Sequence, residues 1–433
     1  MAGAAAGAGR QAQVAGLLVA ASLAGCASQG PPPGGPPRTT PAAIQKTVPE
    51  SGAVVPDLHG DAVVQFDEVI DESPGGPSAG GAITGLAQKV LLSPVAGDVK
   101  VSWHRDAIHV SPKEGWKPNR VYHLELLPGI ADLRRNVTKT GRTIVFSTGA
   151  PLPNAGLTGT ALLWVEQRVL PQAVIRAAPL PDTVAYVALT DSTGDFRLPS
   201  IPPGRYRVWA IQDQNSNRRQ DRREPFDTVT VAVDPTATAV LWLFAHDTVG
   251  PRVRTVEPVD SVTLRIAFSQ PLDPAHQPDT TTVGVFALPD TTPLVVRALY
   301  RAARFDSLQA RARAVADSLK RLQDTSARKD TTARRGAGGR PGAGQRAPAV
   351  PSRPDTSTPR VDTARVRKLL STRGVPYDRV VVQTAQTLTP GAKYLVRVRG
   401  AINLSGVAAD GVGVIEIPVP KPAPKDTTKA KSP

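Results

Sequence analysis

The chain has 433 residues, with 43 prolines, 37 glycines and only 4% aromatics, a balance that suits many short strands and turns rather than long helices. Its single cysteine excludes an internal disulfide. The formal charge of +15 is concentrated, since residues 301–375 hold 18 Lys and Arg against 6 Asp. The remainder is therefore close to neutral, and no nucleic-acid partner is expected.

Residues 1–25 have the three parts of an export signal: a positive charge at Arg10, an apolar centre from Val14 to Leu23, and small residues at the end. The apolar centre is about half the roughly twenty residues a spanning helix needs, so it reads as a signal and not a membrane span. It ends in Leu23-Ala24-Gly25-Cys26, which resembles the lipobox of bacterial lipoproteins. The resemblance implies a diacylglyceryl group on the Cys26 sulfur, cleavage before Cys26 and acylation of the new amino terminus. It also implies that no free thiol remains for catalysis or metal binding. Three lipid chains, at about 0.8 kcal/mol per buried methylene, make a lasting anchor. Ala27 and Ser28 follow with no Asp, which in that family suits the outer membrane of a Gram-negative-type bacterium. Either face of that membrane is open. Residues 26–44 then form a Pro/Gly-rich tether.

Residues 45–149 and 248–419 repeat each other. In the first, Val63-Val64-Gln65-Phe66 is followed by Trp116-Lys117-Pro118-Asn119 and the strand Val121 to Leu126; in the second, Leu264-Arg265-Ile266-Ala267-Phe268 is followed by Leu388-Thr389-Pro390-Gly391 and the strand Lys393 to Val398. Each copy then reaches a similar loop, Gly129 to Leu133 and Ala401 to Gly406. Period-2 strands between Pro/Gly turns describe an Ig-like sandwich. With the phrase Pro49-Glu50-Ser51-Gly52, the pattern resembles bacterial Ig-like domains of the S-layer (SbsA) type. The basic segment, about 301–375, is inserted in the second copy. It opens with an expected helix from Arg301 to Leu322, whose Phe305, Leu308, Ala312, Val315, Leu319 and Leu322 form one stripe. Such a stripe can pack on its own domain, form only in part, or pair with another chain. From about Thr325 to Val361 the composition predicts disorder, as does that of the tail 420–433.

The middle region, 150–247, carries Asp191-Ser192-Thr193-Gly194, then Phe196 and Leu198, then Pro202-Pro203-Gly204, then Tyr206 and Val208. This reads as turn, strand, turn, strand, with Phe196 and Leu198 on one face and Tyr206 and Val208 filling the core again. It resembles the carboxypeptidase-regulatory-like, or prealbumin-like, β-sandwich, a non-catalytic fold grouped with carbohydrate-binding-like modules. Residues 150–247 contain no lysine, which excludes the Lys–Asn isopeptide staple of some relatives.

Between 213 and 224 the oxygen-bearing Asp213, Asn215, Asn217, Asp221 and Glu224 have the 1, 3, 5, 9, 12 spacing of a calcium loop. Arg218 stands where such a loop needs glycine, and four arginines surround it. A polar hairpin whose Asn and Asp side chains cap their own backbone fits the same residues. Apart from calcium no cofactor is expected beyond lipid on Cys26. The six histidines show no catalytic spacing, and His104, His109 and His123 are expected on exposed strand faces. Among the five tryptophans, Trp209 adjoins the polar loop and is the candidate for a sugar-stacking platform.

The expectation is an all-β chain of three tandem β-sandwiches with a short helix and a disordered basic insertion in the third. It is non-catalytic, held to a membrane by lipid, and offers its surfaces to an envelope protein. The alternative is a glycan-binding module on the middle sandwich. The sequence leaves the oligomeric state open.

Overall fold

The computed structural model describes residues 39–71, 82–328 and 362–419, with backbone alone for 322–328. The export signal, Cys26, most of the tether, the tail, and residues 329–361 of the basic segment lie outside the described residues.

The described residues are mostly β, with antiparallel sheets paired into sandwiches and two α-helices among them. In the first sandwich Ile44–Val48, Ala62–Phe66, Ala107–Pro112 and Val99–His104 lie side by side in that order, facing a sheet of Val90–Ser93, Val121–Leu126 and Arg142–Ser147. Alternation decides the core: Ala62, Val64 and Phe66 point in from one sheet, and Tyr122, Leu124 and Leu126 from the other, all buried.

The middle sandwich pairs a sheet of Tyr186–Leu189, Val174–Pro179, Gly204–Ile211 and Phe226–Val233 with one of Asp195–Leu198, Gly156–Leu163 and Thr236–Leu243. Thr236–Leu243 runs parallel to Gly156–Leu163, the exception among otherwise antiparallel pairs of named strands. Phe196, Leu198, Tyr206 and Val208 enter one core, as the turn–strand reading requires. The Tyr206 hydroxyl donates to Pro202 O across the second turn (2.6 Å).

The third sandwich repeats the first. Val253–Asp260, Thr263–Leu272, Tyr377–Thr384 and Val296–Arg301 form one sheet; Thr292–Leu294, Val283–Ala287, Lys393–Ile402 and Ala408–Glu416 form the other. The resemblance of the two copies reaches individual hydrogen bonds. The Tyr122 hydroxyl oxygen accepts from the Lys117 amide and that of Tyr394 from the Thr389 amide, both at 2.8 Å and both from the Pro-containing turn. Buried Asp132 accepts from the amides of Arg134 and Asn136, and buried Asn403 from those of Ser405 and Val407.

The basic insertion is a hairpin connection. Strands Val296–Arg301 and Tyr377–Thr384 pair directly, with Arg301 opposite Val380, so the insertion leaves and re-enters the sheet at a closed strand pair. The long helix Ala302–Arg328 extends six residues past the expected end at Leu322. Among the described side chains of its stripe Phe305 is buried, while Leu308, Val315 and Leu319 are exposed. A second helix, Thr363–Leu370, absent from the sequence reading, closes the insertion.

Candidate functional site

Two strand faces that should be solvated are buried, and they locate the sites that matter. In the sheet of the first sandwich, Leu91, Ser93, His123, Glu125 and Val145 point away from their own core. Yet Leu91, Ser93 and His123 are at most 4% exposed. The middle sandwich covers them. The Val187 amide donates to Ser93 Oγ (3.0 Å), and the Tyr186 ring lies 5.0 Å from that of His123. His123 is therefore not on an exposed strand face, contrary to the sequence expectation: a neighbouring sheet takes the place of water. Neither of its ring nitrogens has a hydrogen-bond partner, although the Ser200 backbone lies near. Burial pushes its pKa down to about 4, opposed weakly by that backbone group. Half-buried Glu125 is pushed up to about 7 by desolvation, against the opposing pull of Arg218.

The 213–224 loop is the other half of this seam. Arg218, at the position where a calcium loop carries glycine, adopts a left-handed φ of 55° and so makes the bend itself. Its amide donates to Asp213 Oδ2 (2.8 Å), and its guanidinium reaches the first sandwich, donating to Val90 O (2.8 Å) and Gln88 O. Burial lowers the Arg218 pKa to about 10, with Asp213 and Glu125 opposing. The Ile83 amide donates to Ser216 O, and Arg219 lies 3.5 Å from Asp98.

All five candidate calcium ligands are gathered here and engaged with one another or with the loop backbone. Asp213 accepts from the Asn217 and Arg218 amides, Glu224 from those of Gln214 and Asp221, and the side-chain amides of Asn215 and Asn217 both donate to Asp221 Oδ2. Among the described residues no three His, Cys, Asp or Glu side chains are grouped to hold a metal. Coordination would require both amides to turn away from Asp221, so the loop fits a cation only after rearrangement.

The second seam is built by the insertion. On strand Gly156–Leu163 the residues Leu157, Ala161 and Leu163 face the core, whereas Leu162 and the following Trp164 join Trp242 and Phe244 in a separate buried cluster. The helix Thr363–Leu370, N-capped by Asp362, lays Val366, Leu369 and Leu370 on that cluster. Arg365 grips Asp195 through two bonds of 2.6 and 2.9 Å and also donates to Thr160 Oγ1. Burial alone would raise the Asp195 carboxyl, but the bonds from Arg365 and Thr160 outweigh it and hold the carboxyl below the usual range. Beyond the helix, Gly374 O accepts from Trp164 Nε1 (2.9 Å), and the Arg373 guanidinium lies 3.4 Å from the indole centre.

Trp209, the proposed platform, is half-buried on the outer face of its strand, with the Arg207 guanidinium 5.9 Å from its ring. An open cleft of about 510 Å³ lies at one end of the first sandwich, lined by Asp57, His59, Asp61, Lys113, Trp116 and Lys117 among others. Sequence reasoning did not anticipate this cleft, because the loops that form it are some fifty residues apart. The seams did leave a trace. The runs Ala161-Leu162-Leu163-Trp164 and Val240-Leu241-Trp242-Leu243-Phe244 are continuous where a half-solvated strand alternates, which marks burial on both faces.

The sheets and their seams define a protein built from several β-sandwich domains. Residues 38–148 match the family described as bacterial Ig-like domain. Among solved structures the chain is similar to the N-terminal part of the bacterial S-layer protein SbsC, at 13% identity over 40% of this chain and 25% of that one, with a TM-score of 0.20. It is also similar to BcpA, the major pilin subunit of Bacillus cereus (9% identity, 46% and 67% of the two chains, TM-score 0.18). A third is a putative carbohydrate binding protein from Bacteroides uniformis (11%, 61% and 100%, 0.17). Scores this low carry no inference about function. No curated protein matches the chain.

Proposed function

We propose that this protein is a lipid-anchored, non-catalytic structural or interaction component of a bacterial envelope, with Cys26 as its attachment point and three sandwiches as its working surface. The observation that supports it is the pair of seams. Strand faces bearing Leu91, Ser93 and His123 in one case, and Leu162, Trp164 and Trp242 in the other, are buried between sandwiches and on the insertion helix. Interfaces of this kind turn a string of modules into one extended body, which suits presenting surfaces at a distance from an anchor. The outer membrane is the proposed location, through the Leu23-Ala24-Gly25-Cys26 ending. The test is fatty-acid labelling of the native protein with fractionation of the envelope. Label on the wild type that is lost in Cys26→Ser, together with release from membranes, is expected; an unlabelled wild type would end the anchor proposal.

The glycan reading is supported by Trp209, whose ring stays partly accessible beside Arg207. Quenching of tryptophan fluorescence by an envelope polysaccharide, abolished in Trp209→Ala, would favour it. A calcium role for Asp213, Asn215, Asn217, Asp221 and Glu224 is a separate proposal, and calorimetry showing no heat at millimolar calcium removes it.

A further inference from the structure

The long helix Ala302–Arg328 offers an apolar stripe that its own fold does not cover. Phe305 is 5% exposed and fastens the first turn to the third sandwich, but Leu308, Val315 and Leu319 are 46%, 60% and 55% exposed, and Ala312 between them is exposed too. At 100° per residue these four fall within about 60° of arc. Arg304 and Arg311 stand at one border of the stripe, and Arg313 and Lys320 flank the other side at a wider angle. Asp306 and Asp317 fall on the far side, and Asp306 is already paired with Arg265 of the sandwich. The result is an apolar strip with basic flanks and acids turned away.

Three occupants can be weighed. The chain segment 329–361 has two valines and no Leu, Ile, Met, Phe, Tyr or Trp, so it cannot supply an apolar cover. A second copy would pair stripe to stripe. Parallel pairing sets Arg304 and Arg311 beside Gln309 and Ala316, and antiparallel pairing sets arginine near arginine. Neither offers a carboxylate to the arginines. An anionic lipid surface satisfies both features at once, because the acyl boundary receives the apolar strip while headgroup phosphates meet the flanking guanidinium groups.

We propose that the exposed face of this helix, centred on Leu308, Ala312, Val315 and Leu319 and flanked by Arg304 and Arg311, lies on an anionic membrane surface as a second contact for the protein. The stripe is short, so the binding is reversible and needs the charge as well as the apolar area. This contact does not depend on a lipid at Cys26.

The experiment uses the full chain carrying Cys26→Ser, so that no lipid is attached, in flotation with vesicles of phosphatidylglycerol and phosphatidylcholine or of phosphatidylcholine alone. The expected result is flotation with the anionic vesicles only, weakening with salt, and a roughly tenfold loss of partitioning in Arg311→Glu. The pair Leu308→Glu, Val315→Glu should abolish it at unchanged melting temperature, because both side chains are exposed in the protein. No flotation overturns the proposal. So does flotation that survives the paired substitution, which would assign binding to the export signal or to the rest of the basic segment. A concentration-dependent dimer lost on the same substitution would give the stripe to a second copy and overturn it as well.

Discussion

His123 and Glu125 sit on the same outward face of one strand and titrate in opposite senses. For His123 the docked state holds the pKa near 4 against an ordinary 6.5. Between those values the separated state binds more protons, so docking strengthens as pH rises. For Glu125 the docked pKa is about 7 against an ordinary 4.5. Over that range the docked state keeps a proton that the separated state has released, so docking weakens as pH rises. The two slopes overlap and oppose, and the wild-type seam should be nearly insensitive to pH between about 4.5 and 6.5. Thermal melting across that range should expose the hidden terms. Glu125→Gln should become more stable with rising pH and His123→Gln less so. Parallel profiles for all three proteins would refute the compensation.

Arg218 belongs to the same scale. Glycine there would accept the left-handed backbone without strain, but it would remove the donors to Val90 O and Gln88 O. Arg218→Gly should therefore weaken the first seam by about 1–3 kcal/mol, while leaving the 213–224 loop intact. Hydrogen exchange would separate the two, with faster exchange in Val90–Ser93 and Tyr186–Leu189 and no change at Asn217.

At the scale of elements, the insertion does two different jobs at its two ends. The long helix is rooted by buried Phe305 and by the Asp306–Arg265 ion pair, so Phe305→Ala should cost about 3 kcal/mol and loosen the helix on the sheet, seen as loss of protection in its first turn. The short helix is a strap. Its Arg365–Asp195 pair depends on an ionised carboxylate, and the Asp195 pKa is lowered by that partner. The contribution is therefore full above the ordinary carboxylate pKa of about 4 and is lost as pH falls through the lowered value. Asp195→Asn should leave the strap equally loose at neutral and acid pH, measured as proteolysis within Thr363–Leu370. Strap release at the same acid pH in wild type and variant would show that another group controls it.

For the molecule as a whole, two independent fastenings give a testable shape. Solution scattering should report one rigid body for the wild type. Arg218→Gly with Arg365→Ala should broaden the distribution of distances between sandwiches while the sandwiches still melt cooperatively, since neither side chain enters a core cluster. An unchanged scattering profile would mean that the apolar contacts at Leu162, Trp164 and Trp242 suffice to hold the assembly.

The sandwiches were legible before any coordinates because their information is local. Alternation marked the strand carrying Phe66 and its counterpart carrying Phe268, the Pro-containing turns marked strand starts, and the repeat reached the loops Gly129 to Leu133 and Ala401 to Gly406. Those features depend on periods of two and on turn chemistry, which neighbours in the chain suffice to specify. The seams depend on partners far away in sequence. Nothing adjacent to Arg365 announces Asp195, and nothing beside Arg218 announces Val90. The same five oxygen side chains between 213 and 224 spell a cation loop or a docking loop, and the choice turns on where the Arg218 guanidinium goes. Local periodicity thus settles which residues fold together, whereas the faces that meet are chosen by desolvation and hydrogen bonding between domains, which only the assembled molecule brings into contact.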